Sequence, residues 1–355
     1  MTAPAAAPPP AARASAWGRR VGPGLAVCAL LGLAALLLQE AEASVIDHAV
    51  IDALVIALLL GIAVRNVAGV PKWLGAGAAF ASKHLLEASI VLLGASVALG
   101  RVVEAGAPLF LLVVVSVAGG LAFAWVVGHR LLGLRSRLAV LVGVGGSICG
   151  NSAIAAVAPA IDATADDVAA AVSISAVLGA AQILLLPLLV PGIDLTHYQY
   201  GVVAGISVYA VPQVVAAGFA VSGLSGEVAT FVKLTRVLLL GPVIVVLRAL
   251  HGRGEVARAA RPLGQRLRAV VPWFILGFLV LAVLRSSGLI SPEVGRDAQT
   301  VSRALFAVAM AGLGMSVDLR SVRAVGGGVA ATVIATMLFM VAISTVGTSL
   351  LGLTG

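Results

Sequence analysis

Long apolar runs alternate with short polar stretches along almost the whole chain. A run of about 20 apolar residues is long enough to cross a bilayer as a helix. The pattern predicts eleven such helices, at approximately 21–39, 48–65, 84–103, 108–129, 138–160, 167–190, 199–221, 227–249, 270–288, 301–318 and 325–351. We therefore predict an all-α integral membrane fold, with one polytopic transmembrane domain over residues 19–355.

The composition supports a membrane location. Hydrophobic residues make up 61% of the chain and charged residues 11%, whereas soluble domains carry about 45–50% and roughly 25%. So few charges cannot build a water-facing surface. The net charge of +8 comes from basic residues in the short gaps between apolar runs, which is typical of a membrane protein in contact with lipid. We expect no nucleic-acid partner.

The N-terminal segment differs in composition from the rest of the chain. Residues 1–18 are rich in Ala and Pro and predict a disordered tail. Arg19 and Arg20 before an apolar run imitate a signal peptide, but the run is long and no clear cleavage site follows it. We therefore expect a first helix that is retained.

The distribution of Lys and Arg predicts the orientation. With the N-terminus inside, 17 of these residues fall in inside segments and 4 in outside loops. This bias predicts a cytoplasmic N-terminus and an outside C-terminus. The same reading places the acidic loop around Asp162, Asp166 and Asp167 outside.

Two internal matches indicate a repeat. A shift of 220 residues gives 7 matches in 16 positions, pairing Leu93, Gly94, Ser96, Val97, Leu99, Val102 and Gly106 with Leu313, Gly314, Ser316, Val317, Leu319, Val322 and Gly326. An odd number of predicted helices separates the copies, which predicts inverted repeats, a hallmark of secondary transporters. A weaker match at a shift of 60 pairs Gly145-x-Ser147 with Gly205-x-Ser207, and helix parity predicts one common direction for these two copies.

The stretch from Gly143 to Ser152 is the most unusual part of an apolar run, with four glycines and several polar side chains. Such a sequence is a poor continuous helix, and it predicts a broken helix in the bilayer. The N–H groups of the second half-helix would favour an anion. Glycine and serine packing between helices is the alternative. The predicted breaking residues are Gly145, Gly146 and Gly150, and the predicted anion-binding residues are Ser147, Cys149, Asn151 and Ser152.

Lys233 and Arg236 lie deep in an apolar run and share one helix face. Buried cations in a membrane are costly and face a cavity or a partner. We predict that both bind the anion, with Glu87 as an alternative counter-charge and a purely structural ion pair as the other reading.

Two further stretches are candidates for helix breaks. Pro212 removes a helix hydrogen bond and predicts a kink, and Gln213 beside it offers a donor and an acceptor for the substrate. Gly312 and Gly314 predict a second broken helix. Asp318 follows at the inner end of that run and is expected to be solvated.

Other chemistries find no support in the sequence. The two cysteines lie in apolar runs, and the five histidines show no metal-ligand spacing. No phosphate-binding Gly-x-x-x-x-Gly-Lys motif and no catalytic constellation occur. We predict no cofactor, no metal and no enzymatic activity.

The run from Gly146 to Ala156 resembles the signature of an uncharacterised bacterial inner-membrane family whose members carry the name of sulfate exporters. The segments 233–236 and 312–319 resemble two further blocks of that family, and the resemblance covers about residues 45–350. The family is similar to the wider group of cation/proton antiporters and bile-acid-type symporters. This implies five-plus-five inverted repeats with two crossing broken helices and a panel domain that moves against a core domain.

These observations predict a secondary transporter that exports a small anion, sulfate or an organosulfonate, across the cytoplasmic membrane by alternating access. The alternative is a cation/proton antiporter on the same scaffold. An antiporter needs a carboxylate at the midplane, and the runs 138–160, 199–221 and 227–249 hold none at their centres. A homodimer is left open.

Overall fold

The computed structural model describes residues 10–46, 52–97, 106–251, 272–320 and 326–353. These residues form helices and no strands, which confirms the all-α prediction. We number the α-helices in chain order as α1 Pro10–Ile46, α2 Ala53–Ala63, α3 Lys72–Phe80, α4 Leu86–Gly94, α5 Gly106–Trp125, α6 Ser136–Val144, α7 Asn151–Val157, α8 Ala165–Leu185, α9 Leu189–Ile193, α10 His197–Ser207, α11 Val211–Phe219, α12 Gly223–Leu238, α13 Leu240–His251, α14 Trp273–Ser286, α15 Pro292–Gly314 and α16 Gly327–Leu350.

Among these residues, six helical stretches are long and apolar enough to span a membrane. They are Trp17–Glu42, Trp73–Gly94, Gly106–Leu131, Ala165–Ile193, Gly223–Leu250 and Gly327–Leu350. Three shorter apolar helices, Ala53–Ala68, Ser136–Cys149 and Trp273–Ser286, accompany them. The integral membrane class is therefore confirmed, and the count of eleven spans is not. Helix α1 begins at Pro10, inside the segment predicted to be a disordered tail, and residues 1–9 lie outside the described part.

Contacts divide the chain into two units. The first contains residues 1–89 and 301–318. Its helices approach closely at glycines, because a β-carbon at Gly77 would overlap the main chain of α1 at Val21 and Leu25. An ion pair between Arg303 and the buried carboxylate of Asp52 adds a polar link to this apolar packing.

The predicted helix break is absent at Gly312, whereas the helix does end at Gly314, before the end of the predicted run 301–318. Helix α15 runs through Gly312 without interruption and ends at Gly314. Both glycines serve close packing instead: a β-carbon at Gly312 would lie 2.8 Å from the carbonyl oxygen of Ala78, and one at Gly314 would overlap the carbonyl oxygen of Leu58. Asp318 lies beyond the helix end, where it forms an ion pair with Arg65 at 3.3 Å.

The second unit contains residues 90–300 and 319–355. One of its cores lies between α5, α10, α12 and α16, with the buried side chains Leu109, Leu112, Val113, Tyr198, Val202, Ile206, Val228, Val232, Met340 and Leu353. Helices α10 and α12 run side by side and pack closely, because β-carbons at Gly201 and Gly205 would lie 2.8 and 2.6 Å from the β-carbons of Val228 and Val232.

The predicted span 138–160 turns back on itself. Arg137 Nη1 donates a hydrogen bond of 2.6 Å to the carbonyl oxygen of Asp162, and Arg135 forms an ion pair of 2.8 Å with Asp167. A continuous helix would separate residues 137 and 162 by roughly 37 Å at 1.5 Å per residue. Residues 136–160 therefore form a re-entrant helical hairpin, which we call hairpin 1.

The predicted span 199–221 also turns back. Ser225 Oγ donates to the carbonyl oxygen of His197 at 2.9 Å, and the Tyr200 hydroxyl donates to the carbonyl oxygen of Ala217 at 2.8 Å. Residues 197–219 therefore form a second re-entrant hairpin, hairpin 2.

The two hairpins enter the unit from opposite ends. Helix α8 begins beside the base of hairpin 1, and the chain reaches the base of hairpin 2 only after α9, about 43 Å further along at 1.5 Å per residue. Two expectations are thereby overturned. The acidic loop at 162–167 lies at the same end as Arg135 and Arg137, which the charge distribution predicts to be inside, so the loop and these arginines are not on opposite sides. The Gly-x-Ser copies at 145 and 205 approach from opposite directions instead of running in one common direction. Because two of the predicted spans are hairpins, the number of spans between the two copies of the 220-residue repeat falls by two and stays odd. The prediction that the copies are inverted is therefore unaffected.

The 220-residue repeat is visible in how two helices end. Helix α4 ends at Gly94 and α15 ends at Gly314. In one copy Ser96 Oγ donates to the carbonyl oxygen of Leu93 at 2.8 Å, and in the other Ser316 Oγ donates to that of Leu313 at 2.6 Å. The pairs at 99/319 and 102/322 lie outside the described residues in at least one copy.

The repeat also extends to packing. In the second unit, a β-carbon at Gly94 would overlap the carbonyl oxygen of Phe278. In the first unit, the corresponding contact joins Gly314 and Leu58. Gly94 and Gly314 are 220 residues apart, and so are their partners Leu58 and Phe278. The sequence match therefore reflects two copies of one packing arrangement.

Candidate functional site

The tip of hairpin 1 is a wide turn followed by a reversal. Residues Gly145–Cys149 continue α6 as a π-helical turn, closed by a hydrogen bond of 2.9 Å from Gly150 N–H to the carbonyl oxygen of Gly145. Gly150 has φ 74° and ψ −136°, a conformation that side chains with a β-carbon rarely adopt. Helix α7 then starts at Asn151. The glycine-rich sequence thus permits the chain to reverse inside the protein.

The tip of hairpin 2 is the extended segment 208–210 between α10 and α11. Gln213 closes the new helix by accepting a hydrogen bond of 3.0 Å from Ala210 N–H. Pro212 lies in the first turn of α11, where its missing N–H costs nothing. The predicted kink at Pro212 is therefore wrong, since the break precedes it, and Gln213 acts as a cap.

The two tips touch through Tyr209. A β-carbon at Gly150 would lie 2.9 Å from Tyr209 Cδ1 and 3.4 Å from the β-carbon of Ala210. A β-carbon at Gly145 would overlap the Tyr209 hydroxyl. The glycines of hairpin 1 therefore leave the room that the Tyr209 ring of hairpin 2 occupies, and Tyr209 is only 2% exposed.

Lys233 holds the tip of hairpin 2. Its side chain is completely buried, and Nζ donates hydrogen bonds of 2.7 Å to the carbonyl oxygens of both Val208 and Tyr209. These carbonyls lie where the chain leaves the helix, so no further helical turn supplies them with N–H donors.

Arg236 binds both tips at once. Its guanidinium donates through Nε to Ser147 at 3.0 Å, through Nη2 to Gly146 at 2.8 Å and through Nη1 to Gly205 at 2.8 Å, in each case to the carbonyl oxygen. The first two acceptors belong to hairpin 1 and the third to hairpin 2. One completely buried side chain therefore satisfies main-chain carbonyls of two opposed hairpins.

Neither cation belongs to an ion pair among the described residues. Among all residues that the structure describes, the buried carboxylates are Asp52 and Asp167. Asp167 pairs with Arg135 at the base of hairpin 1. Glu87, considered as a counter-charge, lies 3.7 Å from His84 in the first unit. The structural ion pair considered for the two cations is thus replaced by charge–carbonyl contacts.

The remaining predicted residues surround the tip of hairpin 1. Asn151 and Ser152 are exposed at the start of α7. Cys149 is buried, with Sγ 3.1 Å from Ser152 Oγ. The Ser147 hydroxyl is also buried and has no hydrogen-bond partner among the described residues. It lies against Gly120, on which a β-carbon would overlap it.

Gln182 was missed. Its Nε2 donates to the carbonyl oxygen of Ser207 at 3.0 Å, so α8 also binds the tip of hairpin 2. The signal was a single glutamine in the apolar run 167–190. The contact of Tyr209 with hairpin 1 could not be inferred from the sequence either, because it depends on how the two hairpins meet.

Comparisons with known proteins agree with the membrane architecture. The profile of the family described as Conserved hypothetical protein 698 matches residues 23–332. The chain is 42% identical over 323 residues to a UPF0324 membrane protein of Bradyrhizobium diazoefficiens, covering 91% of each chain. It is 44% identical over 322 residues to one of Brucella melitensis, covering 91% of this chain and 88% of the relative.

A more distant UPF0324 membrane protein of Bacillus cereus is 33% identical over 303 residues, covering 85% of this chain and 87% of the relative. No solved structure matches the chain. The resemblance to an uncharacterised bacterial membrane family is thereby confirmed, and the chain belongs to the UPF0324 membrane protein family, described as Conserved hypothetical protein 698.

Proposed function

We propose that this protein is a secondary transporter of a small anion and that the substrate binds at the hairpin tips. The observation that carries the proposal is the meeting of two opposed re-entrant hairpins at two buried cations, Lys233 and Arg236. Irregular backbone at membrane depth is tolerated where it is buried or lines a cavity. Transporters use such interrupted helices to build a binding site that is reached from either side.

The charge at the tips favours an anion. Each carbonyl end of a helix carries roughly half a negative charge. The ends of α6 and α10 therefore offset about one of the two positive charges of Lys233 and Arg236. An excess of about one positive charge remains at the tips, and Asn151 and Ser152 are exposed at the start of α7, where hairpin 1 turns back. The Asn151 amide can donate a hydrogen bond to the oxygens of sulfate or an organosulfonate, and the Ser152 hydroxyl can do so in place of its 3.2 Å bond to the Cys149 carbonyl oxygen.

The alternative, a cation/proton antiporter, finds less support. Exchange of a proton for a cation requires a carboxylate at the binding site. The buried carboxylates of the described residues, Asp52 and Asp167, lie in the first unit and at the base of hairpin 1. Within the second unit, Asp167 is therefore away from the tips.

Opposed hairpins also suggest how access alternates. Hairpin 1 covers the tips from the end of the unit that contains Arg135, and hairpin 2 covers them from the end that contains His197. Displacement of one hairpin at a time would open the site to one side of the membrane. The arginine distribution along the chain supports a cytoplasmic base of hairpin 1, in an inner membrane with the N-terminus inside and the C-terminus outside.

The proposal is tested by flux of radiolabelled sulfate in proteoliposomes, with methanesulfonate as a second substrate. Asn151→Ala should raise the half-saturating concentration about 10- to 100-fold, because a hydrogen bond to a charged group contributes roughly 1.5–3 kcal/mol. Ser349→Ala is the matched control, since Ser349 is exposed on α16 and bonds only its own helix. Wild-type flux of both anions equal to that of empty liposomes, together with sodium-driven proton movement, would establish the antiporter instead.

A further inference from the structure

A deep groove runs along the second unit between α5, α6 and α13. Its volume is about 600 Å³, and its walls are apolar apart from Ser136 and the indole N–H of Trp125. Those two groups satisfy each other, since Trp125 Nε1 donates to Ser136 Oγ at 3.0 Å. The groove therefore offers no polar group to a water-soluble ligand and a large apolar surface to a hydrocarbon.

The dimensions fit an acyl chain. Along α5 the groove extends from Val114 to Trp125, which is about 17 Å at 1.5 Å per residue. One leaflet of the hydrocarbon core is roughly 15 Å thick. Both α5 and α13 belong to helical stretches long and apolar enough to span a membrane, so the groove follows the direction in which these helices would cross it.

One end of the groove is positively charged and aromatic. The guanidinium of Arg130 lies 5.3 Å from the centre of the Trp125 ring. Tryptophan is favoured at the membrane–water interface, and a stacked guanidinium keeps its N–H edge available for a phosphate. Arg130 is exposed. The apolar groove thus ends at a cation placed at headgroup depth.

We propose that this groove is a binding site for an anionic phospholipid, with one acyl chain between α5 and α13 and the phosphate at Arg130. The positive charge of Arg130 at the end of the groove favours an acidic headgroup. The length of the groove matches an acyl chain that spans one leaflet. The site is separate from the hairpin tips, so it does not depend on the proposed transport. The groove nevertheless adjoins hairpin 1, because its wall residue Leu121 packs behind Gly143.

The test measures lipids retained by the purified full chain. The protein is exchanged from liposomes containing equal amounts of phosphatidylglycerol and phosphatidylcholine with identical acyl chains, and bound lipid is counted by native mass spectrometry. Wild type should retain one phosphatidylglycerol. Ala118→Trp, which fills the groove from its exposed side, should abolish retention. Arg130→Gln should reduce the preference for phosphatidylglycerol about fivefold, the effect expected of one cation near an anionic surface.

Controls separate the site from nonspecific effects. Val346→Trp places the same bulk on the exposed face of α16, and Arg20→Gln removes an exposed charge from α1. Both should retain lipid as wild type does. If Ala118→Trp fails to fold, Val243→Trp fills the groove from the α13 side.

Three outcomes would overturn the proposal. Equal retention of both lipids by wild type would remove the selectivity, and unchanged retention in both groove-filling variants would place the lipid elsewhere. A dimer that Ala118→Trp dissociates would show that the groove binds a second copy of the chain.

Discussion

Arg236 links the two hairpins, and its replacement by lysine isolates the geometry of that link from its charge. An ammonium on an unbranched chain cannot reproduce the planar fork that reaches Ser147, Gly146 and Gly205 together. We expect it to satisfy one of the three carbonyls. The two buried acceptors left without donors cost roughly 1–3 kcal/mol each, so Arg236→Lys should destabilise the protein by about 2–6 kcal/mol.

Thermal unfolding of the detergent-purified protein measures this loss. At about 2 °C per kcal/mol for a large chain, Tm should fall by roughly 4–12 °C. Hydrogen exchange adds a local readout at the Gly150 and Ala210 amides, which lie at the tips of hairpins 1 and 2. Both amides should exchange faster in the variant, because a single side chain holds both tips.

Arg20→Lys is the matched control, since Arg20 is exposed on α1 and surface substitutions change stability by less than about 0.5 kcal/mol. Faster exchange in only one hairpin would show that Arg236 does not hold the two tips together. A Tm within about 1 °C of wild type would show that its hydrogen bonds contribute little to stability.

Three further results are expected. Gly150→Ala should destabilise by about 2–5 kcal/mol in thermal unfolding, because its φ of 74° disfavours a β-carbon and the new methyl would meet the Tyr209 ring. Gly94→Ala and Gly314→Ala should lower Tm by similar amounts, since each β-carbon would overlap a main-chain carbonyl oxygen in equivalent packing. Cys149, which is 5% exposed, should react with a maleimide more than about tenfold slower than a surface cysteine, because an opening that costs 1.4 kcal/mol already slows labelling tenfold.

The controls for these variants are positions without close neighbours. Gly192→Ala is expected to be neutral or slightly stabilising, because no atom lies within 4 Å of its β-carbon position. A cysteine introduced by Ser349→Cys supplies the exposed thiol for comparison. Unequal effects of the two repeat glycines would argue against equivalent packing, and fast labelling of Cys149 would contradict its burial in the resting protein.

The sequence alone determined the membrane class and the local structure at several points. Continuous apolar runs of about 20 residues with scarce charges predict helices in a bilayer, because a helix bonds its main-chain groups within the segment. The glycines around residue 145 and the serines at 96 and 316 act through neighbours in the chain. The broken helix near residue 145 could therefore be predicted from the order of residues, whereas the runs predicted at 84–103 and 301–318 extended past the observed helix ends at Gly94 and Gly314.

Tertiary structure decided whether a run crosses or returns. The run 138–160 is as apolar as a spanning helix, and only the contacts of Arg135 and Arg137 with the chain beyond its end identify it as a hairpin. The same applies to 199–221, where Ser225 and His197 meet. An apolar composition shows that a segment avoids water, but it is the same for a helix that crosses the membrane and for a hairpin that turns back.

The partners of Lys233 and Arg236 were also beyond the sequence. A buried cation signals that a negative or polar partner exists, so the positions could be singled out as unusual. The partners are main-chain carbonyls, which every residue carries. Only the folded backbone shows which carbonyl oxygens have no helical N–H donor. Those near Lys233 and Arg236 have none because the helices of the two hairpins end there.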